Sequence, residues 1–259
     1  MPRLYLVCAT PRSGSSLLCT GLEATGLLGT SVEYFSRAAI HHNAVAWGMS
    51  DAGSMPSDPK VLTPKAYLDR VRDETFRDER GGTKVHLYQL QVARRLRIAD
   101  GLRDLFPAAA GVHQLLRTRR RDVVGQAVSG HIADATRVYC HWADKEPEIS
   151  PGYEGATVLQ PEYDFAAITA RCLEIVEHEI AWDAEIAASG LPCETFWYEE
   201  LATDYEAAMR RAMTAVGLAP DVPVPTPQLI RQADARNEEF VRRFHRDAHI
   251  EGLDVQALA

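Results

Sequence analysis

Residues 4–9, Leu-Tyr-Leu-Val-Cys-Ala, form an unbroken apolar run that stops at Thr10-Pro11-Arg12-Ser13-Gly14-Ser15-Ser16 and restarts as an amphipathic stretch. A short run with no polar alternation fits a strand covered on both faces, as in a parallel sheet with helices on either side. The rest of the chain keeps that rhythm. The helix opened by Ser15 should end near Gly26, and residues 27–62 read as irregular. A second helix begins at Thr63-Pro64, a cap followed by proline in the first turn, and Gly81-Gly82 breaks it. A strand at 83–88 follows, then a basic helix to about Phe106, a strand at Val112–Leu116 and a helix from Asp122 to about Trp142.

Residues 143–162 read as a surface loop. Phe165, Ile168, Cys172, Ile175, Glu179 and Trp182 recur at helical spacing, so 163–189 reads as a long helix with one apolar face. Cys193–Trp197 is the next strand and Glu199–Val216 the next helix. The proline-rich segment 219–227 leads into a last helix, Leu229–Phe244. The expected architecture is α/β: one domain over residues 1–259, with a central parallel sheet flanked by helices.

Charge and composition narrow the function. With 36 acidic against 28 basic residues and a formal net charge of −8, the chain is a poor nucleic-acid or membrane-surface binder. No apolar run reaches the roughly 18 residues of a membrane helix, and Met1-Pro2-Arg3 lacks a signal peptide's pattern. The five cysteines are scattered without CxxC or Cys/His spacing, which predicts reduced thiols in a cytoplasmic protein, neither disulfides nor a zinc site.

In a parallel α/β sheet, ligands sit beyond the carboxyl ends of the strands, where a helix N-terminus offers unpaired N–H groups to an anion. Arg12 adds a formal charge, Ser15 and Ser16 add hydroxyl donors, and Gly14 gives room for close approach. An ordinary serine-capped turn is the plain alternative. The loop is not GxxxxGK[ST], since its basic residue precedes its single glycine, and GxGxxG is absent as well. Metal-dependent ATP or GTP hydrolysis is therefore disfavoured, and a smaller, metal-free anion suits the loop. A second anion site is expected at LLRTRRRDVVGQAVSG. Arg121 and Ser129 are about two turns apart there if the helix is regular, whereas Arg119 and Arg120 are expected to be solvated.

Together, R-S-G-S-S and R-x7-S resemble the paired phosphate sites of sulfotransferases. More closely, ATPRSGSSLLCTGLEATGLLGTSVEYF, GGTKVHLYQL, RRRDVVGQAVS, WYEEL and RQADARNEEFVRRF resemble the trehalose 2-sulfotransferase family, from about residue 4 to residue 246. The resemblance implies a P-loop-like sulfotransferase fold and a cofactor, 3′-phosphoadenosine 5′-phosphosulfate (PAPS), released as 3′-phosphoadenosine 5′-phosphate (PAP), with no metal. It places Arg12, Ser13, Gly14, Ser15 and Ser16 on the 5′-phosphosulfate, Arg121 with Ser129 on the 3′-phosphate, Tyr198 near adenine, and Arg231 in a segment that closes over the nucleotide. Tyr198 read alone is equally a core tyrosine, and Arg231 an exposed helical arginine.

The same resemblance makes Glu33 of SVEYF the first candidate for the general base; on sequence alone it would be a surface glutamate. His86 competes. The family usually has a large apolar residue near that point, whereas KVHL matches the K-x-H-L of cytosolic sulfotransferases, and Lys84 shares its strand face with His86. Lys84 is expected to stabilise the bridging or sulfuryl oxygens. The acceptor is a hydroxyl of a small carbohydrate or secondary metabolite. Residues 34–62 should shape its pocket, with Trp47, Met49 and Met55 as apolar surface and His41, His42 and Asn43 as hydrogen-bonding groups; trehalose is what the resemblance alone implies. A homodimer is expected on the same ground. The alternatives are a small-molecule kinase and a non-catalytic nucleotide-binding module.

Overall fold

The computed structural model describes residues 3–28, 32–75, 80–106, 112–146, 148–150, 155–230, 232 and 234–255. Four strands, β1 (Arg3–Ala9), β2 (Arg80–His86), β3 (Val112–Arg119) and β4 (Cys193–Trp197), form one sheet in the order β2-β1-β3-β4, with every pair parallel. The helices, in chain order, are α1 (Ser15–Glu23), α2 (Arg37–Ala46), α3 (Pro64–Thr75), α4 (Leu87–Arg95), α5 (Val123–Thr136), α6 (Phe165–Ser189), α7 (Tyr198–Thr203), α8 (Tyr205–Ala215) and α9 (Ala235–Ile250).

The alternation within β1 explains its unbroken apolar run. Leu4, Leu6 and Cys8 face a core made with α2, α3, α4 and Trp182 of α6. Tyr5 and Val7 face a second core made with Leu18 and Leu22 of α1 and Ala208, Met209, Ala212 and Met213 of α8. Both faces of the central strand are dry, so no polar residue is tolerated on either. Away from the sheet, Val124, Ala127 and Val128 of α5 pack on Ile168, Cys172 and Ile175 of α6 and on Phe240, Phe244 and Ala248 of α9.

Several boundaries differ from the sequence expectation, each for a local reason. Gly81 and Gly82 lie within β2 and do not precede it. Gly82 is level with Tyr5 on β1, and a Cβ there would stand 2.3 Å from the Tyr5 ring. The stretch expected to be irregular contains α2, capped by Ser36, whose side chain accepts from the Ala39 N–H at 3.2 Å. The basic helix stops at Arg95, close to Arg97 in the left-handed region, and a 3-10 turn at Leu102–Leu105 completes the connection. Helix α5 ends at Thr136 because Arg137 turns left-handed (φ 61°). Asp204 divides the expected Glu199–Val216 helix and caps α8. The last helix starts at Ala235, behind the Asp234 cap, while Leu229 pairs with Trp142 in an isolated bridge. Among the described residues no helix is long and apolar enough to cross a membrane.

Candidate active site

Parallel register brings the strand ends to one edge: Ala9 is level with His86 and Thr118, and Arg119 with Trp197. The loop after β1 therefore meets the turns leaving the other three strands. Within it, Ser13 points inward, its hydroxyl 2.8 Å from that of Thr118 and fully buried. Gly14 is left-handed (φ 88°), and a Cβ would sit 3.0 Å from Cδ2 of Tyr198, so the tyrosine covers the loop through the space a side chain would need. No side chain caps the first turn of α1. That leaves its N–H groups for an anion.

Arg12 is also left-handed (φ 67°), and its guanidinium is held by three partners outside α1. It donates to the Ser129 hydroxyl at 3.0 Å, to the Tyr139 carbonyl at 2.5 Å and to Oε1 of Gln232. Burial, partly offset by the nearby Cys140 thiol, pulls this guanidinium below its ordinary value. One residue thus ties the loop to α5 and to the segments that lead out of α5 and into α9.

Glu33 sits on a loop pinned on both sides. The Thr83 hydroxyl donates to the carbonyl of Val32, and the Tyr67 hydroxyl donates to that of Tyr34 at 2.8 Å. The Glu33 carboxylate meets Lys84 Nζ at 2.8 Å, His86 Nε2 at 3.5 Å and the Gln89 amide at 2.5 Å. Burial would raise this carboxyl, but the hydrogen bond and charge of His86 and the charge of Lys84 outweigh it and hold Glu33 well below the carboxylate range. Burial would likewise lower the Lys84 ammonium, yet the Glu33 charge prevails and raises it. Lys84 also donates to the Ser16 hydroxyl at 3.2 Å, so one ammonium bridges the anion loop and the acid. His86 Nδ1 lies 3.0 Å from the carbonyl oxygen of Ala9. A carbonyl only accepts, so Nδ1 carries the hydrogen and Nε2 faces Glu33.

The second basic cluster is arranged differently from the sequence expectation. Arg121 precedes α5 and does not lie on it. Half exposed, it stacks over Trp197 (4.6 Å to the centroid) and pairs with Glu200 at 2.8 Å, whereas Ser129 bonds to Arg12. Arg119 is not simply solvated, since its Nε meets Glu179 at 2.8 Å. Arg120 lies over the ring of Tyr198 at 4.7 Å. Arg231 falls outside the described residues. The sequence reading missed Gln89, Thr83 and Tyr67, which hold Glu33, and Tyr139 and Gln232, which hold Arg12. Only Gln89 carried a signal, as the third residue after a helix-capping position.

A cleft of about 1790 Å³ gathers Arg12, Ser15, Ser16, Glu33, Lys84 and His86 on one surface. Trp47, His42 and Asn43 line it as expected. Of the other acceptor candidates, Met49 packs against the core, Met55 is exposed and His41 bonds to Ser54. Such a cleft can hold an anion at a helix N-terminus and present a neighbouring hydroxyl to an acid–imidazole pair.

The model of the family described as Stf0 sulphotransferase matches residues 4–247. The chain belongs to that family. Two relatives are trehalose 2-sulfotransferases, one from Mycobacterium tuberculosis (30% identical, covering 97% of each chain) and one from Mycolicibacterium smegmatis (29% identical, 98% of each). A solved sulfotransferase from Alicyclobacillus acidocaldarius aligns over all of this chain and 98% of its own, at 15% identity and a TM-score of 0.43. The matched span agrees with the one the motifs indicate. As a member of the Stf0 family the protein is a sulfotransferase on a parallel α/β sheet.

Proposed function

We propose that this Stf0 sulphotransferase transfers the sulfuryl group of PAPS to a hydroxyl of a small carbohydrate, without a metal. Trehalose, the acceptor named for both mycobacterial relatives, is the first compound to test. The observation that carries the reading is Lys84, whose one ammonium touches Ser16 at the mouth of α1 and Glu33 in the same cleft. The residues present fit the cofactor. The uncapped start of α1 with the Ser15 and Ser16 hydroxyls suits the 5′ end. Arg121 and Ser129 are the candidates for the 3′-phosphate, with Tyr198 and Arg231 at the base and the closing segment.

When bound, PAPS supplies a sulfuryl group that passes in line to the acceptor oxygen, one S–O bond forming as the other breaks, with PAP carrying away the electron pair. The chain's own residues position and neutralise. Lys84 and the α1 N–H groups hold negative charge at the leaving side. Glu33 takes the hydroxyl proton, and His86, with Nδ1 fixed on Ala9, holds the carboxylate in place. Trp47, His42 and Asn43 orient the sugar. The reading also takes the enzyme to be a cytoplasmic homodimer, and light scattering on the purified protein tests the second half.

Calorimetric titration with PAP, with ADP plus magnesium as the control, is the first test, followed by mass spectrometry of trehalose incubated with PAPS. Metal-independent PAP binding and a sulfated disaccharide are expected. Preference for ADP with magnesium would overturn the reading. PAP binding without trehalose sulfation would keep the cofactor and move the search to other hydroxyl acceptors.

A further inference from the structure

The Gln89 side chain, on the third residue of α4, is fully buried. Its Oε1 accepts the backbone N–H of His86 at 3.1 Å, which closes the start of the helix. That bond leaves no freedom for the amide to flip, because an N–H at this position would face another N–H. The NH2 group must therefore point the other way, and it does. It donates to Glu33 Oε2 at 2.5 Å and reaches the Tyr88 hydroxyl at 3.1 Å. The opposite oxygen of Glu33 meets Lys84 and His86. A single amide thus locks the backbone of one member of the acid–imidazole pair and the carboxylate of the other.

We infer that Gln89 is a positioning residue, one that fixes the Glu33 carboxylate relative to His86 and keeps it an acceptor while the hydroxyl proton is removed. The inference rests on the proposed sulfuryl transfer for its kinetic consequences alone; the geometry stands without it. Gln89 is not among the residues that line the cleft, and it acts through the residues it holds. The charged and titratable groups around it are Glu33, Lys84 and His86, with Tyr88 from its own helix and the thiols of Cys19 and Cys140 beside Lys84.

Two substitutions separate this role from mere packing. Gln89→Glu keeps the shape, and a carboxyl oxygen can still accept from the His86 N–H. When protonated it also donates to Glu33 as the amide does, but once ionised it sets two carboxylates against each other. Its kcat should fall roughly tenfold or more on the alkaline side, part of the effect a positioned base supplies. The pH profile should gain a descending limb at lower pH than any in the wild type, while the KM for PAPS changes less than about twofold. Gln89→Met keeps the volume and removes all three bonds; it should lower kcat at every pH without weakening PAP. A Gln89→Glu profile parallel to the wild type would overturn the proposal.

A readout independent of turnover accompanies these. In the nuclear magnetic resonance spectrum of the wild type, the Gln89 amide protons should be shifted downfield and exchange slowly, and should return to ordinary values in Glu33→Ala. Ordinary values in both proteins would also overturn it. A wild type that shows the amide signature yet fails to bind PAP would sink the sulfotransfer reading and leave the Gln89 assignment in place.

Discussion

Glu33 is surrounded by donors, and that sets its behaviour with pH. Its folded-state value lies below that of an unfolded glutamate, about 4.3, because Lys84 and His86 favour the charged form over the opposing effect of burial. A depressed carboxyl contributes stability that is complete above the unfolded value and is lost as pH falls from there through the folded one. The gap in urea-unfolding free energy between wild type and Glu33→Gln should therefore narrow between pH 5 and pH 3; a gap that is constant across that range would contradict the ion-pair geometry. Arg121 allows the opposite separation. Half exposed and paired at the surface with Glu200, it belongs to a class of pairs worth about 0–1 kcal/mol. Arg121→Ala should hardly move the unfolding midpoint, yet should weaken PAP binding several-fold if it holds the 3′-phosphate. Unchanged PAP affinity in a stable Arg121→Ala protein would remove that residue from the cofactor site.

At the level of elements, the strands were legible in outline because burial on both faces leaves a compositional mark, and α6 was legible because its buried residues repeat over many turns. Helix α2 was not, since only Ile40 and Ala44 are buried along it and one such pair is no period. Glycine misled in β2. Read along the chain it is a breaker, but Gly82 exists for a neighbour on another strand, the ring of Tyr5. Gly82→Ala should consequently cost about 1–3 kcal/mol, as overpacking does, read as a lower urea midpoint. A neutral result would mean that Tyr5 can rotate away. The site followed the same division. Arg12, Ser15, Ser16, Lys84 and His86 could be named from local motifs, Glu33 only through the family resemblance, and all six share the cleft. Thr83 and Tyr67, whose hydroxyls pin the Glu33 loop, carry no local mark because their partners are backbone carbonyls far away in sequence.

At the scale of the whole molecule, the cleft lies where separately packed cores meet. The loop after β1 spans them: Ser13 bonds to Thr118 on β3, Thr10 donates to Glu179 on α6, and Arg12 reaches α5 and the approach to α9. Glu179 in turn holds the buried Arg117 at 2.7 Å, so the loop, the sheet and the long helix share one charged cluster. A ligand that binds that loop in the native state alone should show its binding free energy as stability. At about one hundred times its dissociation constant, a ligand of the native state alone adds about 2.7 kcal/mol. For a chain of this size that corresponds to a rise in Tm of roughly 5–10 °C. PAP should produce this shift equally with and without a metal chelator, while ADP with magnesium should leave Tm nearly unchanged. A shift that the chelator abolishes would place a metal in the site and overturn metal-free binding. Loss of the PAP shift in Lys84→Met, with the fold intact, would locate the bound anion beside Ser16, where the Lys84 ammonium meets the start of α1.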